Sequence, residues 1–210
     1  MPSSTQIASW LLQINAIQLR PQQPFTWASG IKSPIYCDNR IILSYPEIRK
    51  GVTAAFVKMA KQFPSFEVVA GVATAGIPHG TLLANELSLP FIYVRDKAKS
   101  HGQQNQIEGR LEYGQHVLVI EDLISTGGSS LKAVEAIRAA GGNVVGVLAI
   151  FSYGFEKAHQ LFEKANCSFT TLTNYDTLLE VAADSHYIGE AEQATLQNWR
   201  KSPELWHPSF

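Results

Sequence analysis

Several things are scarce in this 210-residue chain, and each scarcity excludes something. Cysteine occurs twice, at Cys37 and Cys167, far apart and without metal-type spacing. A disulfide framework is therefore excluded, and the pair reads as free thiols in a reducing compartment. No window approaches 18 apolar residues, so no transmembrane helix is expected. The start, "MPSSTQIASWLLQ", lacks a basic segment and a signal-type cleavage site, which makes cytoplasmic the default location. Net charge is −1, so the whole chain offers no case for nucleic acid or membrane as a partner. Lys and Arg do outnumber Asp and Glu over residues 1–66, and the acids lead over 155–210. A solvated basic face explains the first of these more simply than an acidic ligand does. Repeats and low-complexity tracts are missing too.

What is present is a rhythm. "SSTQIASWLLQINAI" sets Ile7, Leu11, Leu12 and Ile14 at helical spacing behind Ser/Thr caps. "PFTWASGIKSPIYCDNR" reads as short strands joined by turns, and "YPEIRKGVTAAFVKMAKQF" as a helix with Pro46 near its start. From there apolar strands alternate with helices: "FEVVAGVA", "GIPHGTLLANEL", "PFIYVR", "HVLVIED", "GSSLKAVEAIRAAGG", "NVVGVLAIFS" and "GFEKAHQLFEKAN". Short β-branched strands between helices predict an α/β fold, a central, mostly parallel sheet covered on both faces. Its core should span roughly residues 67–165. Residues 1–66 and the C-terminal segment should pack together as a smaller hood lobe of the same single domain. At this length about 70% of the unfolded chain's surface can be buried, so no metal or disulfide is needed for stability.

One stretch carries chemistry. In "VLVIEDLISTGGSS" four apolar residues run into Glu121 and Asp122, and Leu123-Ile124 lead to the turn Ser125-Thr126-Gly127-Gly128-Ser129. In open α/β sheets ligands sit where strands give way to helices. Glycines permit close backbone approach there, and the first N–H groups of the following helix are free to meet an anion. The hydroxyls of Ser125, Thr126 and Ser129 add donors. Two carboxylates beside such a cradle make sense if the ligand has two different ends. A sugar phosphate gives the turn its anion and offers hydroxyls to the acids. A carboxylate is also worth about 4 kcal/mol to a full positive charge about 4 Å away at an effective dielectric near 20.

These residues resemble the phosphoribosyl-diphosphate motif of the type I phosphoribosyltransferases. Two further stretches are similar to the orotate phosphoribosyltransferase branch: "FTWASGIKSPIYCDNR" to its N-terminal substrate segment, and "VRDKAKSHG" to its mobile catalytic loop, with Arg95, Lys99 and His101 in place. "GVATAGIPHG" resembles the loop on the diphosphate side. The resemblance covers about residues 20–165. It implies transfer of phosphoribosyl from 5-phosphoribosyl 1-diphosphate to orotate, Mg2+ held mainly through substrate and water, and a homodimer whose loop reaches the neighbouring site.

By the same resemblance, Ser125 to Ser129 hold the 5′-phosphate, with Leu123 and Ile124 in the binding segment. Glu121 and Asp122 meet the ribose hydroxyls, both being usable only where the strand breaks into the turn. Arg95, Lys99 and His101 neutralise the leaving diphosphate, and Lys32, Tyr36 and Ser125 hold the base. The stretch "RDKAKSHGQQNQIEG" has only Ala98 as an apolar residue before Ile107, so it cannot anchor itself in a core.

The chain departs from the family pattern at four places. Ala28 and Ala75 stand where many members have lysine, Asp96 where they have a second basic residue, and Gly154 near where several have an arginine. Lys32, Arg40 and Lys97 are the cations at hand. A purine or uracil phosphoribosyltransferase, or a regulator that binds phosphoribosyl diphosphate without turnover, would share the cradle. The loop residues and the lack of a helix-turn-helix pattern favour the enzyme. Gly71 to Gly76 imitates P-loop glycine spacing, but Ile77-Pro78 replace the required Lys-Ser/Thr. His79, His116, His159, His186 and His207 form no ligand cluster.

Overall fold

The structure is a computed structural model and describes residues 2–27, 30–96 and 106–207. Ala28, Lys97, Lys99 and His101 lie outside them. The chain opens with α1 (Ser4–Gln13), short strands β1 (Ile17–Leu19), β2 (Phe25–Thr26), β3 (Lys32–Ser33) and β4 (Ile35–Cys37), a 3-10 turn over Asn39–Ser44, and α2 (Pro46–Ala60). The repeating part follows: β5 (Val68–Val72), α3 (Gly76–Leu87), β6 (Phe91–Val94), β7 (Ile107–Glu108), β8 (His116–Ile124), α4 (Gly128–Ala139), β9 (Asn143–Ser152) and α5 (Glu156–Lys164). The described chain ends with β10 (Phe169–Asn174), α6 (Tyr175–Asp184) and α7 (Glu190–Lys201).

Six strands form one sheet in the order β10-β9-β8-β5-β6-β7, parallel throughout except for β7. The parallel sheet expected from the strand–helix rhythm is therefore present, with one more strand, β10, than that rhythm marks. β5 is buried along its whole length and β8 from Val117 to Glu121. Alternation splits β8 between two cores. Leu118 and Ile120 enter the cluster built with α1, α2, α3 and α6, while Val117 and Val119 enter the cluster under α4 and α5. The chain leaves β5 in one direction to reach β6 and returns to lay β8 on β5's other side. This reversal opens a crevice beyond the carboxyl ends of β5 and β8.

The ends of the described chain are joined. Ser3 caps α1 by accepting from the Gln6 N–H at 3.1 Å, and Ile7, Leu11 and Leu12 are buried on its inner face. α1 packs on α6 and β10, where the Ser4 hydroxyl donates to Thr173 Oγ1 at 3.1 Å. Trp199 of α7 is fully buried among Trp27, Tyr153, Phe155 and Tyr175. α3 lies close on the sheet because Gly76 has no side chain. A Cβ there would stand 2.4 Å from the Ile120 carbonyl oxygen.

His79, on α3, is 2% exposed beside the Phe56 ring, and no partner is found for its Nε2 among the described residues. Burial lowers its pKa from 6.5 to about 4. The unfolded chain takes up this proton near pH 6.5 and the native state only near pH 4. Native stability is therefore lost as pH falls through that window, by about 2 kcal/mol at pH 5. Urea unfolding at pH 7 and pH 5 checks this. His79→Leu should lose less stability than the parent between the two, and equal losses would mean that His79 accepts its proton inside the fold.

Candidate active site

β8 remains paired with β9 as far as Ile124↔Ser152, so Glu121 and Asp122 both belong to a regular strand. The two carboxylates therefore part, each following its own face. Glu121 lies on the side of Val117 and Val119, is 4% exposed, and accepts hydrogen bonds from Ser129 Oγ and Ser130 Oγ, both at 3.3 Å. It also accepts from the Asp122 N–H at 3.1 Å. Asp122 is half-buried on the side of the N-terminal segment, where Asn39 Nδ2 donates to its carbonyl oxygen at 2.8 Å.

Burial raises the pKa of Glu121, and the neighbouring Asp122 charge raises it further. Asp122 is also pushed up by burial, against the pull of its hydrogen bond with Glu121 and, more weakly, of the Arg40 charge. The strand does not break at the acid pair, and Glu121 ties the end of β8 to the start of α4 while both acids border one cavity.

The turn itself is built as its composition suggests. Gly127 precedes α4 with φ +84, a region natural to glycine, and a Cβ on it would meet Phe162 Cε2 at 2.7 Å. No side chain among the described residues caps α4, which leaves its first-turn N–H groups to a ligand. α3 likewise starts without a side-chain cap, directly after Ala73-Thr74-Ala75, whose Ala73–Thr74 peptide is cis. The two helix starts share one cavity of about 390 Å3, a normal size for a small-molecule site. It is bordered by Ala73 to Ala75 on one side and by Ser125 to Ser129 on the other. Glu121, Asp122 and Leu123 lie between them. Ile124 is buried and anchors the turn.

Arg95 leaves β6 with Nη1 3.5 Å from Glu108 Oε1, and the adjacent Asp96 pairs with Lys132 of α4 at 3.0 Å. Lys99 and His101 lie outside the described residues. Lys32 and Tyr36 do not line this cavity. Lys32 Nζ donates to Thr26 Oγ1 at 2.8 Å, and the Tyr36 ring lies 5.5 Å from that of Phe25. Arg40 is held by Asp38 in a two-point pair.

A second cavity, of about 320 Å3, shares Ser125 and Thr126 with the first. It is walled partly by Trp27 and Phe155, two aromatics that sequence reasoning did not single out. The segment Ala73 to Ala75 was placed on the diphosphate side only by resemblance. No single residue type there advertises a backbone site.

Comparison with known proteins adds to this geometry. Residues 39–183 match the family model of the phosphoribosyl transferase domain. The orotate phosphoribosyltransferase of Listeria innocua is 54% identical over 207 residues, 98% of this chain and 99% of that one. Among solved structures, orotate phosphoribosyltransferase from Aeropyrum pernix superposes with a TM-score of 0.76 at 29% identity, covering 87% of this chain and 99% of that one. Leishmania donovani UMP synthase superposes at 0.81 with 28% identity, over 95% of this chain and 42% of the longer protein.

The two glycines of the turn should answer differently to alanine. At Gly127 the left-handed backbone costs an L-residue about 1–2 kcal/mol, and the contact with Phe162 adds to it. At Gly128 nothing lies within 4 Å. Gly127→Ala is expected to lower the urea midpoint and weaken phosphoribosyl diphosphate binding, measured by calorimetry, while Gly128→Ala leaves the midpoint nearly unchanged. Equal midpoints for the two variants would mean that the turn tolerates a side chain at Gly127.

Proposed function

The chain belongs to the orotate phosphoribosyltransferases, within the phosphoribosyl transferase domain family, and from that premise we propose how it works. It transfers the phosphoribosyl group of 5-phosphoribosyl 1-diphosphate to orotate, forming orotidine 5′-monophosphate and diphosphate in pyrimidine biosynthesis. The N1–C1′ bond forms as the C1′–O bond to diphosphate breaks; that electron pair leaves with the diphosphate, and the proton of N1 is released to water. What supports this assignment of parts most is the cavity where two uncapped helix starts meet beside Asp122.

In our reading Ser125 to Ser129 and the start of α4 hold the 5′-phosphate, and the backbone from Ala73 to the start of α3 receives the diphosphate. Helix-end N–H groups suit both anions without a side-chain cation at Ala75. Asp122 accepts the ribose hydroxyls and stabilises positive charge growing at C1′. Glu121 positions the cradle by holding Ser129 and Ser130. Arg95, Lys99 and His101 serve the leaving diphosphate, His101 as the proton donor. Lys32 and Tyr36 remain candidates for the base side, as does Ser125.

Among the described residues no three His, Cys, Asp or Glu side chains cluster as a metal site. The oxygen donor at hand is the Asp122 carboxylate, which suits Mg2+ held largely by substrate oxygens and water. When bound, the ion neutralises diphosphate charge. The assembly is a homodimer in which the segment carrying Lys99 and His101 serves the neighbouring copy. No helix among the described residues is long and apolar enough to cross a membrane. A reducing cytoplasm suits the free Cys37 and Cys167. The whole chain acts as one phosphoribosyltransferase domain.

Purified protein mixed with orotate, phosphoribosyl diphosphate and Mg2+ should consume orotate, read as loss of its ultraviolet absorbance. Asp122→Asn and His101→Ala are each expected to lower kcat about 10²-fold or more. Glu121→Gln, which keeps an acceptor for the two serines, should lose less. Tight phosphoribosyl diphosphate binding without orotate loss would retain the cradle and sink the orotate assignment.

A further inference from the structure

The second cavity adjoins the cradle through Ser125 and Thr126, so a group bound there lies next to the sugar that the cradle holds. Trp27 and Phe155 give it aromatic faces, which suit a flat ring. Its distinctive charge comes from the far end of the chain. Arg200, in the last turn of α7, lines the cavity half-buried, with its side chain 30% exposed. Nη1 donates to Asp176 Oδ2 at 2.6 Å, and the guanidinium carbon lies 5.6 Å from the centre of the Tyr175 ring. The group is thus oriented by a carboxylate and a ring face. A guanidinium carries five N–H donors, so one bond to Asp176 leaves others for a ligand. Lys157 and Lys201 also border the cavity, as do Glu156 and Glu204, but all four are exposed, which leaves Arg200 as its half-buried charge.

Gly154 lies beside this residue of α7. A Cβ on Gly154 would stand 3.7 Å from Arg200 Nη1. A long side chain at position 154 would compete for the space that the guanidinium now fills. The missing side chain and the incoming arginine are complementary.

We propose that Arg200 recognises the carboxylate of the acceptor base, and so determines specificity for an anionic pyrimidine over a neutral one. This rests on the orotate reading above. The planar fork of a guanidinium matches a carboxylate in two parallel hydrogen bonds, which a flexible ammonium on Lys157 or Lys201 does not reproduce. Asp176 holds the fork in place and also competes with the ligand for it.

Steady-state kinetics of the full-length chain separate this role from mere attachment of α7 to α6. Arg200→Gln should raise the KM for orotate about tenfold to a hundredfold, as expected for a lost charge-assisted pair, with the KM for phosphoribosyl diphosphate within about twofold of the parent. Preference for orotate over uracil, which lacks the carboxylate, should fall by a similar factor. Asp176→Asn keeps the guanidinium and removes its competitor, so it should lower the orotate KM. An Arg200→Gln orotate KM within twofold of the parent, or both KM values rising together, overturns the proposal. If Arg200→Gln does not fold, Asp176→Asn decides alone, and an orotate KM no lower than the parent's overturns it. A parent that never consumes orotate defeats the functional reading itself. An active parent with an indifferent Arg200 defeats only this inference.

Discussion

β8 keeps its parallel hydrogen bonds to β9 for two residues beyond the acid pair, and the geometry of the site follows from that persistence. While the strand stays regular, successive side chains must point to opposite faces. Glu121 is sent under α4 and Asp122 toward the N-terminal segment. Had the strand ended at Ile120, both acids could have turned to one ligand. Instead one carboxylate builds the cradle and the other faces its opening. Both faces of the sheet are covered, so the strand has no freedom to twist the pair back together.

That division depends on close packing at two points without side chains. At Gly76 α3 approaches the β8 backbone to a distance that no Cβ allows, and at Gly127 the chain turns left-handed under Phe162. These contacts bring two helix starts to one cavity, at the reversal of strand order between β5 and β8. An anion there meets backbone N–H groups from two directions. The individual dipole contributions are small, about 0.3–1 kcal/mol at each helix end, so convergence matters more than either helix alone.

Much of this was legible in the sequence because its signal is local. Strand–helix alternation from residue 67, the Ser125–Ser129 turn and the caps of α1 each depend on neighbours within a few residues. What was not legible is tertiary. β10 reads "FTTLTN", too polar and too threonine-rich to announce a sheet strand, yet it pairs with β9. α7 is mostly charged and polar, and only its seating of Trp199 among four other aromatics shows where it packs. The surroundings of Lys32 and Tyr36 are tertiary too: the β2–β3 hairpin brings Lys32 to Thr26, and Tyr36 packs against Phe25. Arg200 could not be found by spacing at all, since it lies 46 positions from Gly154, beside which its guanidinium sits.

Two acids beside an anion cradle have an electrostatic answer in this arrangement. Burial and the Asp122 charge together raise the pKa of Glu121, so this residue holds its proton more readily than a solvated glutamate does. Asp122 borders one part of the cavity, and the Ser125–Ser129 turn, with its N–H and O–H donors, borders another. The cost falls on stability. The unfolded chain releases the Glu121 proton near pH 4.5 and the native state only at higher pH, so this residue takes stability away as pH rises between those values. His79 acts in the opposite sense, removing stability as pH falls from 6.5. A chain that tolerates two acids side by side in its sheet gains a turn held by Glu121 through two serines, with Asp122 directed to the other face of the strand.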